Sequence, residues 1–199
     1  FALRHEARPV FYDDVVEVNE RLDSRGVVLT PLDEAAIRAA AMALVQKGIR
    51  HAAVALLHSY ANADHERRAG AILRESGFEH ITLSSGIAAF TKILPRAQSA
   101  VANAYLAGPV AAFLDGVAAP LHSSSGNRHS SLHIMTSAGG LTSRDEVKPK
   151  DMLLSGPAGG VIGAANAARD LGFTKIITFD MGGTSTDVAR IDGRPGYRF

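Results

Sequence analysis

The chain has 199 residues, 46% of them hydrophobic and 21% charged, with 21 Lys and Arg against 20 Asp and Glu for a net charge of +1. This composition excludes a mostly disordered chain, and without a basic stripe to neutralise phosphates it gives no basis for nucleic acid as a partner. The absence of cysteine removes disulfides, thiolate metal sites and cysteine nucleophiles together.

In chain order, residues 10–22 read as extended, rich in β-branched side chains with acidic punctuation. Pro31, Leu32, Asp33 and Glu34 open a helix, because acidic residues favour a first turn. Ile37, Ala40, Ala41, Leu44 and Val45 recur at helical spacing as far as Lys47, and Gly48 stands where a helix stop belongs. Residues 52–57 read as a short buried strand. Asn62 and Asp64 offer caps for a second helix over 65–75, ended by Gly77, and 81–83 is a further strand. Helix and strand alternating twice predict an α/β layered unit with a largely parallel sheet. Residues 88–119 are Ala-rich with helical period, Pro95 breaking or beginning the helix and Val101, Tyr105 and Leu106 facing a core. A polar loop over 123–131 leads to a strand at 132–136, a turn at Gly139-Gly140 and a short polar helix over 143–147.

Composition then changes. Leu153-Leu154-Ser155-Gly156-Pro157-Ala158-Gly159-Gly160 opens a helix running to about Asp170, with Ser155 as its cap and Pro157 in its first turn. Gly159, Gly160, Gly163, Ala164 and Ala167 leave one face nearly bare, open to tight packing or to the approach of a ligand. Residues 175–179 and 188–191 read as strands joined through Asp180-Met181-Gly182-Gly183-Thr184-Ser185-Thr186-Asp187. In this octet Gly182 and Gly183 permit positive φ, so successive amides can turn into one concavity that suits a phosphate. Thr184, Ser185 and Thr186 add hydroxyls. Asp180 and Asp187 beside a bound anion require a cation between them, and magnesium fills that role. The octet is no P-loop, since no Lys follows the glycines, and no dinucleotide fingerprint, since a strand follows rather than a helix. The bland alternative is a polar hairpin turn.

Residues 179–188 resemble the second phosphate motif of the hydantoinase A/5-oxoprolinase (N-methylhydantoinase) family, within the actin-like ATPase and sugar-kinase superfamily. The Leu153–Gly163 stretch, residues 56–62 with His65-Glu66, Arg21-Leu22-Asp23 and the Pro31-Leu32-Asp33 helix start are similar to further family segments. The resemblance implies a ribonuclease-H-like, actin-like α/β fold, a mixed sheet flanked by helices and incomplete in this chain. Residues 1–172 would be the latter part of a first actin-like domain with linking helices, and 173–199 the start of a second. It implies ATP and Mg as cofactors, with Asp180 catalytic and Asp180 and Asp187 holding magnesium through water. Gly182, Gly183, Thr184, Ser185, Thr186, Asp187, Gly156, Gly159 and Gly160 would hold the nucleotide. A cyclic amide such as a hydantoin or 5-oxoproline would be the substrate, and a second hydantoinase B-type subunit or fused half the partner. Alternatives are a ketone carboxylase subunit of the same family and a non-catalytic actin-like assembly module. The stretch 87–96 departs from the family's acidic and aromatic pattern, implying a different substrate or subunit contact.

The first residue is Phe1, so the natural start is expected upstream, and the chain is expected to be an internal fragment, inactive alone. No apolar run approaches the roughly 20 residues of a bilayer span, no signal peptide is visible, and a reducing cytoplasm fits. His58, Asn62, His65 and Glu66 could meet at a metal or a substrate. Otherwise Asn62 starts a helix and His58 lies at a core edge.

Overall fold

The computed structural model describes residues 10–88, 90–124 and 131–193, with residues 122–124 as backbone alone. The chain forms two compact units that divide between Phe113 and Leu114. In the first unit, strands β1 (Arg21–Leu22) and β2 (Val28–Thr30) form a small antiparallel hairpin. Helix α1 (Glu34–Gln46), strand β3 (His51–Val54), helix α2 (Asp64–Glu75) and strand β4 (His80–Leu83) follow. After β4 come one turn of helix, α3 (Ser84–Ile87), and the long helix α4 (Ile93–Ser124), which runs on into the second unit. That unit contains β5 (His133–Met135), β6 (Leu141–Ser143), a 3-10 turn (Pro149–Met152), helix α5 (Ser155–Asp170) and the strands β7 (Lys175–Met181) and β8 (Thr186–Asp192).

Helix starts and stops obey local chemistry. Asp33 caps α1, its carboxylate accepting from the Ala36 amide at 3.0 Å. At the other end Gly48 has φ +86°, its amide donates to Val45 O (3.0 Å) and the Ile49 amide to Leu44 O (3.1 Å). This Schellman stop satisfies carbonyls the helix leaves orphaned, and an L side chain resists the left-handed residue it needs. Gly77 ends α2 in the same way, with Phe78 N donating to Leu73 O at 3.1 Å. Asn62 precedes α2, accepting from the Asp64 amide at 2.9 Å.

Helices α1 and α2 pack over the β3–β4 pair. Ile37, Ala69 and Ile72 form one buried cluster, and Ala41, Leu73 and Phe78 another. Outside, Arg68 forks onto Glu34 at 2.8 and 2.7 Å, and mainly through that hydrogen bond holds the Glu34 carboxyl below its ordinary value.

The α/β character is as predicted, but the largely parallel sheet is not. Among the described residues there are four two-stranded sheets, of which only β3–β4 is parallel. The reading missed β1–β2 because two- and three-residue strands give no periodicity. The Asp23 carboxylate closes that hairpin, accepting from the amides of Arg25 (2.9 Å) and Val27 (2.8 Å). Gly26 stands in its loop at φ +84°, where a Cβ would lie 2.8 Å from Asn62 Cβ. Gly26→Ala is therefore expected to lower stability by about 2 kcal/mol or more, read as a drop in the thermal midpoint.

Helix α4 buries a different stripe from the one predicted. Arg96, Ala100, Asn103, Ala104 and Ala107 point inward, while Tyr105 is exposed and packs on Phe11 at 5.0 Å between ring centroids. Arg96 and Asn103 are buried because they are hydrogen-bonded, Asn103 to Thr82 Oγ1 at 3.1 Å. The expectation that nothing here is long and apolar enough for a bilayer is also corrected. The helix over Ile93–Leu121 meets that test by length and composition, its most apolar 18-residue window having mean hydropathy 1.4. In the second unit the polar helix expected at 143–147 is absent. Residues 141–143 pair with β5, and a turn follows.

Candidate functional site

Strands β7 and β8 pair without interruption from Lys175 opposite Asp192 to Met181 opposite Thr186. They are longer than predicted, so Asp180 and Asp187 are strand residues and the loop is only Gly182 to Ser185. The Gly182 amide donates to Ser185 O at 2.9 Å and closes it. Alternation along a strand puts Ile176, Thr178 and Asp180 on one face with Asp187, Ala189 and Ile191. Helix α5 covers the base of that face, where Ile176 and Ile191 meet Ala165 and Ala168 around a cavity of about 230 Å³. The other face carries Ile177, Phe179, Met181 and Val188, each more than 60% exposed.

Asp180 lies directly opposite Asp187. Side chains in that relation stand about 4.5–5.5 Å apart at Cβ, and like charges there repel. Among the described residues neither carboxylate has a cationic partner or a hydrogen bond. The hairpin tip thus presents two uncompensated carboxylates beside the loop hydroxyls of Thr184 and Ser185 and that of Thr186, the first residue of β8.

The glycines divide by role. Gly182 and Gly183 are not in the positive-φ region, which corrects the expected basis for the concavity. A nest alternating right- and left-handed residues needs a positive φ, and this loop does not supply one. What these glycines give instead is open space: a Cβ at 183 would meet nothing within 4 Å, and one at 182 only Ser185 O at 3.8 Å. In α5 the face read as uniformly bare is not uniform. A Cβ at Gly159 would touch Met135 Cγ at 3.5 Å, one at Gly160 would press on Asp180 Oδ2 at 3.3 Å, and Gly156 and Gly163 have nothing within 4 Å. The structure therefore brings Gly160 to Asp180, joining the two motifs that lie 20 positions apart in sequence. Ser155 does not cap α5; its hydroxyl donates to Met152 O at 2.9 Å, and Leu154 occupies the cap position.

Two opposed carboxylates without a counter-charge suit a hard divalent cation. Magnesium commonly takes one or two carboxylates and fills its remaining positions with water and phosphate oxygens. No group of three or more acidic, His or Cys side chains able to hold a metal occurs among the described residues, so a cation here would depend on phosphate and water for the rest of its shell.

The histidine set does not converge on a ligand. His65 Nδ1 pairs with Glu20 Oε2 at 2.7 Å, both largely buried. Asn62 Nδ2 donates to Gly26 O at 3.0 Å, and His58 packs edge-on to Tyr60 with its Nδ1 buried and unpartnered. Glu66 is fully buried in a network that sequence reasoning missed. Its Oε1 accepts from the Leu56 amide (3.0 Å) and from Ser84 Oγ (2.5 Å), and its Oε2 from the Ser85 amide (2.9 Å). Arg96, also fully buried, donates from Nε to Ser84 Oγ (2.9 Å) and to the carbonyls of Phe90 (2.7 Å), Leu57 (2.8 Å) and Leu56. The available signal was an arginine at helical spacing from Ala100, Ala104 and Ala107.

Residues 96–199 match the sequence profile of hydantoinase/oxoprolinase, and residues 1–77 match that of the hydantoinase/oxoprolinase N-terminal region. Over 94% of its length the chain aligns at 39% identity with 5-oxoprolinase of Saccharomyces cerevisiae, spanning 17% of that protein. A nucleotide-free acetone carboxylase, solved in a study of ATP-dependent acetone carboxylation, superposes with TM-score 0.76 at 30% identity. The match covers 88% of this chain and 25% of the carboxylase chain. An ATP-dependent caprolactamase from Pseudomonas jessenii superposes with TM-score 0.74 at 26% identity, covering 94% of this chain and 29% of the other. The chain thus spans less than a third of each of these proteins.

Proposed function

The chain belongs to the hydantoinase/oxoprolinase family, and on that premise we propose that it carries the phosphate-binding hairpin of an ATP-dependent enzyme that opens a cyclic amide of the hydantoin or 5-oxoproline type. The observation that carries this reading is the opposed, uncompensated Asp180 and Asp187 beside the open Gly182–Ser185 loop. In the proposed reaction the amide oxygen attacks the terminal phosphorus of ATP and the bond to the ADP oxygen breaks; water adds to the activated carbon, the ring C–N bond breaks as the nitrogen takes a proton, and a second water releases phosphate from the resulting acyl phosphate to leave the carboxylate. Magnesium, when bound, would neutralise charge on the phosphates. Asp180 and Asp187 would hold it through its waters, with Asp180 as the residue that organises those waters at the reacting phosphate. Gly182, Gly183 and Thr184 let phosphate approach the backbone, and Ser185 and Thr186 offer hydroxyls. Positioning and charge stabilisation are then most of the work, as in phosphoryl transfer generally.

Of the three helix glycines read as nucleotide contacts, only Gly156 stays open in this reading to a nucleotide, since Gly159 and Gly160 already face Met135 and Asp180. Assigning 173–199 to a second actin-like domain, and the enzyme to the cytoplasm, belongs to the same proposal. The exposed apolar face of β7–β8 supports a protein that works within a larger assembly, with a B-type subunit or fused half. A second reading, ATP-dependent carboxylation of a ketone, is favoured by the likeness to acetone carboxylase.

Phosphate release by the full-length enzyme with its partner separates the two readings. Stimulation by hydantoins or 5-oxoproline is expected. Stimulation only by a ketone with bicarbonate would move the chain to the carboxylases, and indifference to every amide and ketone would favour a nucleotide-driven assembly role.

A further inference from the structure

Helix α5 carries glycine at four interior or near-interior positions: Gly156, Gly159, Gly160 and Gly163. Each costs helix stability, roughly 1 kcal/mol relative to alanine, so each calls for a local reason. Only Gly160 meets a close obstacle. A methyl group there would lie 3.3 Å from Asp180 Oδ2, tighter than ordinary van der Waals contact, whereas Gly163 has nothing within 4 Å and Gly159 makes an ordinary contact with Met135. The carboxylate occupies the space that any other residue at 160 would fill.

We propose that Gly160 is a positioning residue for Asp180: its missing side chain lets α5 sit over β7 with the carboxylate at the height that cation and phosphate require. This rests on the reading of Asp180 as the magnesium-organising carboxylate, and it reassigns Gly160 from nucleotide contact to control of that carboxylate. With alanine at 160 the helix backbone is too stiff to yield, and the free end of the short Asp180 side chain shifts by a few tenths of an ångström. The helix itself becomes more stable. Stability and function should therefore move in opposite directions, which a merely structural glycine would not cause.

The test uses the full-length enzyme with its partner subunit and compares Gly160→Ala and Gly160→Val with Gly163→Ala and Asp180→Ala. Three quantities are measured: the thermal midpoint, the magnesium concentration needed for calorimetric binding of a non-hydrolysable ATP analogue, and ATP turnover. For Gly160→Ala the expected result is a midpoint equal to or above wild type and unchanged analogue binding in EDTA. The magnesium requirement should rise and turnover fall, each about tenfold, a displacement of this kind being costly in a preorganised site. Gly160→Val should exceed both effects, and Gly163→Ala should gain stability with normal magnesium dependence. If Gly160→Ala matches Gly163→Ala while Asp180→Ala is dead, the positioning role is overturned and the hairpin reading stands. If Asp180→Ala itself leaves turnover and magnesium dependence intact, both fall together.

Discussion

Asp180→Asn in the full-length enzyme is expected to lower ATP turnover by about two to three orders of magnitude, the scale seen when a preorganised electrostatic group is removed from a reacting centre. The substitution keeps the size of the side chain and its contact with Gly160 but removes the charge that orders a cation and its waters. Folding should respond the other way. Asp180 faces Asp187 with no cation between them in the protein itself, so neutralising one of the pair relieves repulsion of about 0.2–1 kcal/mol. The thermal midpoint should hold or rise slightly while phosphate release collapses. Asp187→Asn should give the same sign on both measurements. Full turnover by Asp180→Asn would remove Asp180 from the chemistry.

Legibility from sequence followed the range of the forces involved. Helices α1 and α2 were readable almost to the residue because their boundaries are local: the Asp33 cap, the glycine stops at 48 and 77 and the apolar spacing all act within a turn or two. The β7–β8 hairpin was equally local, and its strand content was underestimated only because Asp180 and Asp187 are poor strand formers held in register by their neighbours. Inference failed where a partner far along the chain decides. Ser155 is the local exception: it reads as a cap, yet its hydroxyl is taken by Met152 O in the turn just before the helix. Tyr105 reads as core, yet the buried stripe of α4 carries Arg96 and Asn103, whose partners come from the segments around β3 and β4. Gly160 reads as one of several bare positions, and nothing local reveals that Asp180 folds back against it.

The largest stability effect is expected at the buried Arg96–Ser84–Glu66 network. Charges removed from water are tolerated only when paired and hydrogen-bonded, and here every link is present: Arg96 reaches Glu66 through the Ser84 hydroxyl. Arg96→Ala leaves the buried Glu66 without the cation its network reaches and should cost about 3–5 kcal/mol, a large part of the 5–15 kcal/mol that holds a domain together. Glu66→Gln should approach that loss, since a carboxamide keeps only one acceptor oxygen and its NH2 group donates, leaving a backbone amide at Leu56 or Ser85 without its partner.

Replacing both charges with methionine is the informative variant. Buried ion pairs can often be exchanged for apolar residues of similar volume without loss. Here the two charges meet only through the Ser84 hydroxyl, and their side chains also satisfy the Leu56 and Ser85 amides and the Leu57 carbonyl, at about 1–3 kcal/mol for each group left unpaired. Arg96→Met with Glu66→Met should therefore remain several kcal/mol below wild type in denaturant unfolding. Recovery to wild-type stability would show that the grip on the loops after β3 and β4 contributes nothing net, and that each single variant loses stability only through the charge it leaves uncompensated.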